Sequence, residues 1–377
     1  MKKFVLIPDS FKGTLSSMEI CTMMEEEIAR VFPCAEIVSV PVADGGEGSV
    51  DCFLTALGGK KIFVDCHGPY MEKITAFYGL LADGETAVVE MSAAAGLPLV
   101  ENRKNPLLTT TYGVGELILK AAEQGAKRIV VGLGGSCTND FGCGAACACG
   151  IRFLDKKGRE FLPVGETLKE VASIDASQKA QVLKDVEIVT MCDVDNLPYG
   201  QNGAAFVFAR QKGADAQAIE ALDAGVEKLC QVVEASLGIQ TQALKGGGAA
   251  GAMGAGMVAF FQSTLKMGIQ TVLETVRFLE IIKDADYIFT GEGKIDAQSL
   301  SGKVVIGVAR AAKQKNVPVI AVVGGAEGDM STAYAEGVTA VFPINRLPED
   351  FSISRFKSQE NLKKTMQDVL RLLRIKN

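Results

Sequence analysis

Histidine is nearly absent from this chain of 377 residues, since His67 is the single one. A reaction that needs an imidazole base is therefore confined to that residue, which lies in a turn-like Cys-His-Gly-Pro sequence. The Gly-x-Ser-x-Gly elbow of hydrolases is missing. No Gly-Lys pair is followed by Ser or Thr, so the Walker sequence is missing too. These absences exclude a P-loop nucleotidase and a serine hydrolase of the elbow type.

A strong excess of charge and a long apolar run are also lacking. Asp and Glu total 45 against 39 Lys and Arg, a net charge of −6, which disfavours nucleic acid or an anionic membrane as partner. The longest uncharged stretch, residues 246–265, begins with a Gly/Ala run that suits no membrane span. The apolar run at residues 4–8 is too short for a signal peptide. We expect a cytoplasmic protein with a small-molecule partner, and the oligomeric state stays open, with a homodimer as one alternative.

The ten cysteines form no CxxC pair and show no spacing of a disulfide framework. Four of them fall between Cys137 and Cys149, but their spacing is not that of a zinc site. We therefore expect reduced thiols that behave as small buried side chains.

The two ends of the sequence alternate strands and helices. Strands are expected at residues 3–7, 35–40, 286–290, 317–323 and 338–343, with helices at 49–57, 303–314, from 331 and at 360–373. A capping box, Ser16-x-x-Glu19, opens the first helix. This alternation predicts an α/β fold with a doubly wound, flavodoxin- or Rossmann-like parallel sheet, in a discontinuous domain of residues 1–64 plus 276–377.

The middle of the chain shows a different pattern of predicted strands and helices. Strands at 73–81 and 86–91 look antiparallel, buried strands are expected at 128–133 and 186–191, and a long helix at 214–236. We therefore predict that residues 65–275 form an inserted second α/β domain with a mixed sheet. A cleft between the two domains would be a common place for a ligand.

Five segments that combine acids, lysines or hydroxyls, four of them with glycine, follow expected strands, where α/β folds bind their ligands. They are Asp9-Ser-Phe-Lys-Gly, Ala43-Asp-Gly-Gly-Glu-Gly, Gly132-Leu-Gly-Gly-Ser-Cys-Thr-Asn-Asp, Cys192-Asp-Val-Asp-Asn and Thr290-Gly-Glu-Gly-Lys-Ile-Asp-Ala-Gln-Ser. Each segment could also have a purely structural role, as a turn or a helix cap. Together they supply backbone amides, carboxylates and lysines, an inventory that fits phosphoryl transfer, where positioning and charge neutralisation carry the catalysis.

These five motifs, in this order and over almost the whole chain, resemble the bacterial glycerate kinase family of type I. The resemblance implies phosphorylation of D-glycerate by ATP, in many members to 2-phosphoglycerate, with Mg²⁺ and a two-domain α/β structure. The chain departs from the family pattern at Leu197-Pro198, where the family has Pro-Leu. It departs again at Lys245-Gly-Gly-Gly, where the family has Pro-Gly-Ala-Gly.

Within this hypothesis Asp193 is the base that takes the proton of the attacking hydroxyl, and Asp44 can exchange roles with it. Lys12 neutralises charge on the transferred group or holds the glycerate carboxylate. The remaining predicted site residues are Asp9, Ser10, Gly45 and Gly46 for substrate, Gly134, Gly135, Ser136, Thr138 and Asn139 for nucleotide, and Glu292 and Asp296 for Mg²⁺.

Several alternatives stay open at this point. They are phosphorylation at the 3-hydroxyl, a kinase of another small hydroxy acid, and a non-catalytic nucleotide or metabolite sensor. A further one is an NAD-dependent dehydrogenase, which rests on Gly246-x-Gly248-x-x-Gly251 alone, since no convincing strand precedes that match.

Overall fold

The computed structural model describes residues 1–43, 45–296 and 303–375. Its strands are β1 (Lys3–Pro8), β2 (Glu36–Ser39), β3 (Gly59–His67), β4 (Lys73–Leu81), β5 (Thr86–Glu90), β6 (Arg128–Gly132), β7 (Arg152–Leu154), β8 (Glu160–Phe161), β9 (Ser173–Asp175), β10 (Glu187–Met191), β11 (Thr264–Lys266), β12 (Tyr287–Gly291), β13 (Lys294–Ile295), β14 (Val319–Val323), β15 (Gly325–Ala326) and β16 (Val338–Pro343). Its α-helices are α1 (Ser17–Val31), α2 (Ser49–Leu57), α3 (Ser92–Ala95), α4 (Tyr112–Glu123), α5 (Cys143–Ala148), α6 (Ala216–Leu237), α7 (Ala249–Phe261), α8 (Gly268–Thr275), α9 (Phe278–Ile281), α10 (Val304–Lys313), α11 (Ser331–Ala335), α12 (Phe351–Ser354) and α13 (Ser358–Arg374).

The chain forms two compact units. The first comprises Met1–Ala43, Thr55–Leu57 and Ile269–Asn377, and the second comprises Asp44–Leu54 and Gly58–Gly268. The predicted domain boundaries, after residues 64 and 275, fall inside β3 and at the end of α8. Among the described helices, none combines the length and the apolar character that crossing a bilayer requires.

The first unit contains a five-stranded parallel sheet in the order β16-β14-β12-β1-β2. Its central strands are continuous apolar runs, because both faces of a parallel sheet are covered by helices. The capping box at Ser16 starts α1, whose buried Ile20 and Met24 share a core with Leu362 and Met366 of α13. Taken along the chain, the strand order is the 2-1-3-4-5 order of flavodoxin-like folds, which bind ligands where the order reverses, between β1 and β12.

The second unit contains a six-stranded sheet in the order β11-β10-β6-β5-β4-β3. The four strands from β11 to β5 are parallel, and β4 and β3 add an antiparallel hairpin. The predicted α/β class, with a parallel sheet and a separate mixed sheet, is confirmed. The parallel part of this sheet brings the carboxyl ends of β6 and β10 side by side, and both strands lead into predicted site segments.

Candidate functional site

A cavity of about 210 Å³ in the second unit lies at the carboxyl ends of β6 and β10. Residues from the loop after β6, from the segment after β10 and from a turn near residue 210 surround it. Its described lining residues are Leu97, Leu133, Gly134, Gly135, Ser136, Met191, Cys192, Asp193, Val194, Phe208, Gln211, Lys212, Ala249 and Ala250. Four predicted residues, namely Gly134, Gly135, Ser136 and Asp193, therefore share one cavity.

Asp193 is the one acidic residue among the described lining residues. Its side chain is exposed, and the backbone N–H of Gly268 donates to its Oδ1 over 2.6 Å. This hydrogen bond fixes the orientation of the carboxylate, and Asp193 still lines the cavity. A solvent-accessible carboxylate held in this way is a suitable proton acceptor for a hydroxyl bound there.

The predicted glycines Gly45 and Gly46 pack directly against the loop after β6. The N–H of Gly134 donates to the carbonyl of Gly45 over 3.0 Å, and a Cβ on Gly134 would lie 2.5 Å from the Cα of Gly46. A side chain at residue 134 would push the two loops apart. The amide of Gly134 is therefore used within the protein, which leaves the N–H groups of Gly135 and Ser136 as the backbone donors of this loop at the cavity.

Thr138, Asn139 and Asp140 follow in the same loop, and all three are fully buried. Neither Thr138 nor Asn139 appears among the described residues that line the cavity. The amide of Asn139 and the hydroxyl of Thr138 have no hydrogen-bond partner within the described part of the chain. Their predicted contact with nucleotide stays a prediction.

Asp140 anchors this loop from behind. Its carboxylate accepts hydrogen bonds from the backbone N–H of Thr111 at 2.7 Å, of Gly142 at 3.1 Å and of Gly144 at 3.2 Å. The hydroxyl of Thr111 donates to it as well, at 2.8 Å. Burial raises the pKa of Asp140, and the backbone donors act against that shift. Asp140 is thus the capping residue of the loop.

Lys212 is a site residue that the sequence reasoning missed. Its side chain is only 2% exposed, and its Nζ donates to the Oγ of Ser136 and to the carbonyl of Thr138, both at 2.7 Å. Burial lowers the pKa of this ammonium to about 8. The sequence around Lys212 gives no indication of this role, because Ser136 lies 76 residues away. Lys212 itself ends an irregular helical segment, Ala205–Ala209 and Arg210–Lys212.

Glu90, at the end of β5, is a second residue that was missed. Its carboxylate accepts the N–H of Val50 at 2.5 Å and of Gly48 at 3.3 Å, so it caps the start of α2. Burial raises its pKa. The amides of Gly48 and Val50 are therefore used within the protein, and the predicted substrate contacts of Gly45 and Gly46 stay a prediction.

The Gly/Ala run lies against the same loop. Ala250, Gly251 and Ala252 have left-handed backbone angles, so α7 is regular only after them. A Cβ on Gly251 would overlap the carbonyl oxygen of Thr138. Turns, not a strand, precede Gly246. The context that a dinucleotide fingerprint needs is therefore missing here, and close packing explains the small residues.

The other predicted residues lie in the first unit, in the loops that follow β1 and β12. Asp9 accepts the N–H of Ser10 at 2.6 Å, and Lys12 belongs to the same loop. A Cβ on Gly293 would lie 3.4 Å from the backbone nitrogen of Lys12, so the two loops are neighbours at the point where the strand order reverses. Asp44 lies outside the described residues.

Glu292 and Asp296 belong to the loop after β12. Glu292 is 5% exposed, while the Asp296 carboxylate lies 3.8 Å from the Nζ of Lys294, which also pairs with Glu327. Within residues 1–43, 45–296 and 303–375 no group of three or more His, Cys, Asp or Glu residues converges as a metal centre. His67 contacts Glu116 through Nδ1 at 3.0 Å and is not among the described lining residues of the cavity.

The fold and the cavity together are those of an α/β enzyme acting on a small molecule, with a glycine-rich loop and a carboxylate at neighbouring strand ends. Comparison with known proteins specifies the class. The model of the glycerate kinase family matches residues 4–374, and the chain belongs to that family, whose members are kinases with an alcohol acceptor.

Individual relatives agree with this assignment. A glycerate kinase of Haemophilus influenzae is 43% identical over 99% of each chain, and a glycerate 2-kinase of Escherichia coli is 42% identical over 91% of this chain and 90% of its own. A crystal structure assigned to glycerate kinase 2 of Salmonella typhimurium LT2 superposes with a TM-score of 0.87. It is 38% identical and covers 99% of this chain and 98% of its own.

Proposed function

We propose that this glycerate kinase uses ATP and Mg²⁺ to phosphorylate D-glycerate at the 2-hydroxyl, giving 2-phosphoglycerate and ADP. The observation that carries the proposal is the cavity in which Asp193 stands with the glycine-rich loop Gly134, Gly135 and Ser136. Transfer of a phosphoryl group to a hydroxyl requires a proton acceptor and phosphate-binding donors in the same cavity. The choice of the 2-hydroxyl is supported by the similarity to the Escherichia coli glycerate 2-kinase.

In the proposed reaction the substrate oxygen bonds to the terminal phosphorus of ATP, and the bond from that phosphorus to the β–γ bridging oxygen breaks. Asp193 accepts the hydroxyl proton as the new bond forms, and ADP leaves with the electron pair of the broken bond. The loop after β6 holds the phosphates through its backbone. Asp9, Ser10, Gly45 and Gly46 are proposed to contact glycerate.

Lys12 and the carboxylates after β12 are proposed to neutralise charge. Mg²⁺ prefers oxygen ligands and is often held by one or two carboxylates together with substrate phosphates, so Glu292 and Asp296, two carboxylates of the same loop, are of the right chemistry to hold it. When bound, Mg²⁺ would supply charge neutralisation at the phosphate oxygens. Lys12 is proposed to stabilise the negative charge of the transferred group.

The test is phosphorus NMR of the products formed from ATP, Mg²⁺ and D-glycerate by the wild type, Asp193→Asn and Asp195→Asn. Asp195 is the matched control, because it is an exposed acid of the same segment and is not among the cavity residues. We expect 2-phosphoglycerate from the wild type and the control, and a kcat about 10²–10⁴-fold lower for Asp193→Asn.

Other results would change the proposal in defined ways. A 3-phosphoglycerate signal would move the reaction to the other hydroxyl. Normal turnover of Asp193→Asn together with loss of activity in Asp44→Asn would transfer the role of base to Asp44. No phosphorylated glycerate from the wild type would refute glycerate as the acceptor, and a panel of other small hydroxy acids would then be tried.

A further inference from the structure

Lys212 is a buried cation whose ammonium touches only neutral acceptors in the described part of the chain. Its side chain is 2% exposed, and its two hydrogen-bond acceptors, a serine hydroxyl and a backbone carbonyl, are neutral. Among the described residues Lys212 forms no direct ion pair and no third hydrogen bond, and the Asp140 carboxylate that acts on it from nearby is already bound by three backbone N–H groups. Burying a charge is costly unless an opposite charge accompanies it. The ammonium is therefore suited to direct contact with a bound anion, which no described side chain makes.

Two backbone donors lie beside it. The N–H groups of Gly135 and Ser136 have no acceptor in the described part of the chain, whereas the neighbouring amides of Gly134 and Cys137 donate to Gly45 and Ala95. Gly135 adopts a left-handed conformation with φ of 74°, a geometry found in the backbone nests that bind anions. Gly135, Ser136 and Lys212 all line the same cavity.

We propose that Lys212, with the N–H groups of Gly135 and Ser136, binds a phosphate oxyanion in this cavity. This inference rests on the proposed function, because the oxyanion would be the transferred phosphate, first on the nucleotide and then on the product. Three donors that line one cavity suit a tetrahedral phosphate, and an ammonium acts on it as a point charge. Lys212 is thus a binding residue of the reaction that no sequence motif indicates.

The surroundings of Lys212 make its charge dependent on pH. Burial lowers its pKa to about 8, and the nearby Cys137 and Asp140 oppose this shift. Asp193 and Cys192 line the same cavity, and Arg210 belongs to the same turn. A phosphate bound at Nζ favours the charged ammonium. Phosphate affinity should therefore fall as the pH rises above about 8.

The test compares wild type, Lys212→Met and Lys212→Arg by calorimetric titration with ADP, ATP, inorganic phosphate, adenosine and D-glycerate. Lys179→Met is the control, because Lys179 is a half-buried lysine of the same unit that lies over the Phe261 ring and is not among the cavity residues. For Lys212→Met we expect ADP, ATP and phosphate to bind about 10–100-fold more weakly. Adenosine and D-glycerate should bind within about twofold of the wild type. Comparison of the phosphate and nucleotide arms separates a free phosphate from a nucleotide-borne one.

A pH series distinguishes an electrostatic role from a structural one. Nucleotide phosphates are fully ionised above pH 8, so weaker binding there reports on the protein. We expect the wild-type Kd for ADP to rise between about pH 7 and 9.5, and the Kd of Lys212→Arg to stay flat because a guanidinium remains charged. If Lys212→Met does not fold, the pH dependence of Kd in the wild type and in Lys212→Arg still tests whether the charge of Lys212 binds phosphate.

Three results would overturn the inference. They are unchanged nucleotide affinity in a folded Lys212→Met, a larger loss for D-glycerate than for ADP, and the same pH dependence in Lys212→Arg as in the wild type. None of these depends on turnover of glycerate. The absence of product from the wild type would refute the proposed function separately.

Discussion

Replacing Asp140 by Asn should destabilise the second unit by more than an ordinary loop substitution. The carboxylate is fully buried, and both of its oxygens accept hydrogen bonds, Oδ1 from Gly142 and Oδ2 from Thr111 and Gly144. An Asn side chain has nearly the same shape but only one acceptor oxygen. Its NH₂ group must face one of these donors whichever way the amide is turned.

The magnitude follows from the contacts. The better orientation keeps the oxygen towards Thr111 and Gly144, which places the NH₂ group against the N–H of Gly142. One buried N–H left unpaired costs about 1–3 kcal/mol, and each bond that changes from a charged to a neutral acceptor loses up to about 1 kcal/mol. Removing the buried charge returns part of this loss. A net destabilisation of about 2–4 kcal/mol is expected.

Thermal unfolding followed by circular dichroism measures the effect. For a unit of this size about 2–4 °C is lost per kcal/mol, so Tm should fall by roughly 5–15 °C. The control is Asp155→Asn, since Asp155 also accepts two loop N–H groups, from Lys157 at 2.8 Å and Arg159 at 2.9 Å, but in an exposed turn. That variant should lose clearly less stability, even though Asp155 also pairs with Arg159 at 2.8 Å, because water replaces lost contacts in an exposed turn. Equal losses in the two variants would refute the reasoning, because burial is what should make the Asp140 contacts costly to lose.

Three further predictions concern other parts of the second unit and the exposed thiol. Gly251→Ala should reduce stability much more than Gly238→Ala, since both have positive φ but a Cβ at residue 238 meets nothing within 4 Å; urea unfolding of the two variants decides this. Iodoacetamide at neutral pH should label exposed Cys34 well before Cys192, whose pKa burial raises to about 11, as peptide mass spectrometry would show. Burial also raises the pKa of Glu90 above its ordinary value of 4.5, so the folded state holds its proton more tightly and the stability of the wild type relative to Glu90→Gln should decrease as the pH rises above 4.5. An unchanged difference between the two Tm values over that range would contradict it.

The fold was predictable where the sequence carries a local pattern. Buried parallel strands such as β1 and β14 are continuous apolar runs, and the capping box at Ser16 marks the start of α1. The domain boundary predicted near residue 64 was harder to place from the sequence. It falls in β3, an edge strand whose residues are mostly half-exposed or exposed, so the segment lacks the strict alternation that identifies a strand.

The segments of the candidate site were predictable for a related reason. Ligands of α/β folds bind at the carboxyl ends of strands, and glycine-rich segments placed after strands stand out in a sequence. Lys212 and Glu90 lie in no such segment, and their roles depend on contacts with residues 76 and 40 positions away in the sequence. A lone lysine or glutamate in a sequence is most often a solvated side chain. Burial, which the sequence does not display, is what gives these two residues their roles.

These contacts explain how the loop after β6 is fixed in shape before any ligand binds. Asp140 holds its far end through three backbone amides, and Lys212 holds its middle through a hydroxyl and a carbonyl. Because so many of its polar groups are tied inward, the donors that remain, on Gly135 and Ser136, are presented at the cavity without reorganisation on binding. Preorganised donors of this kind stabilise developing charge more effectively than mobile ones. The substitutions that release the loop should therefore weaken phosphate binding even where they leave every cavity side chain in place.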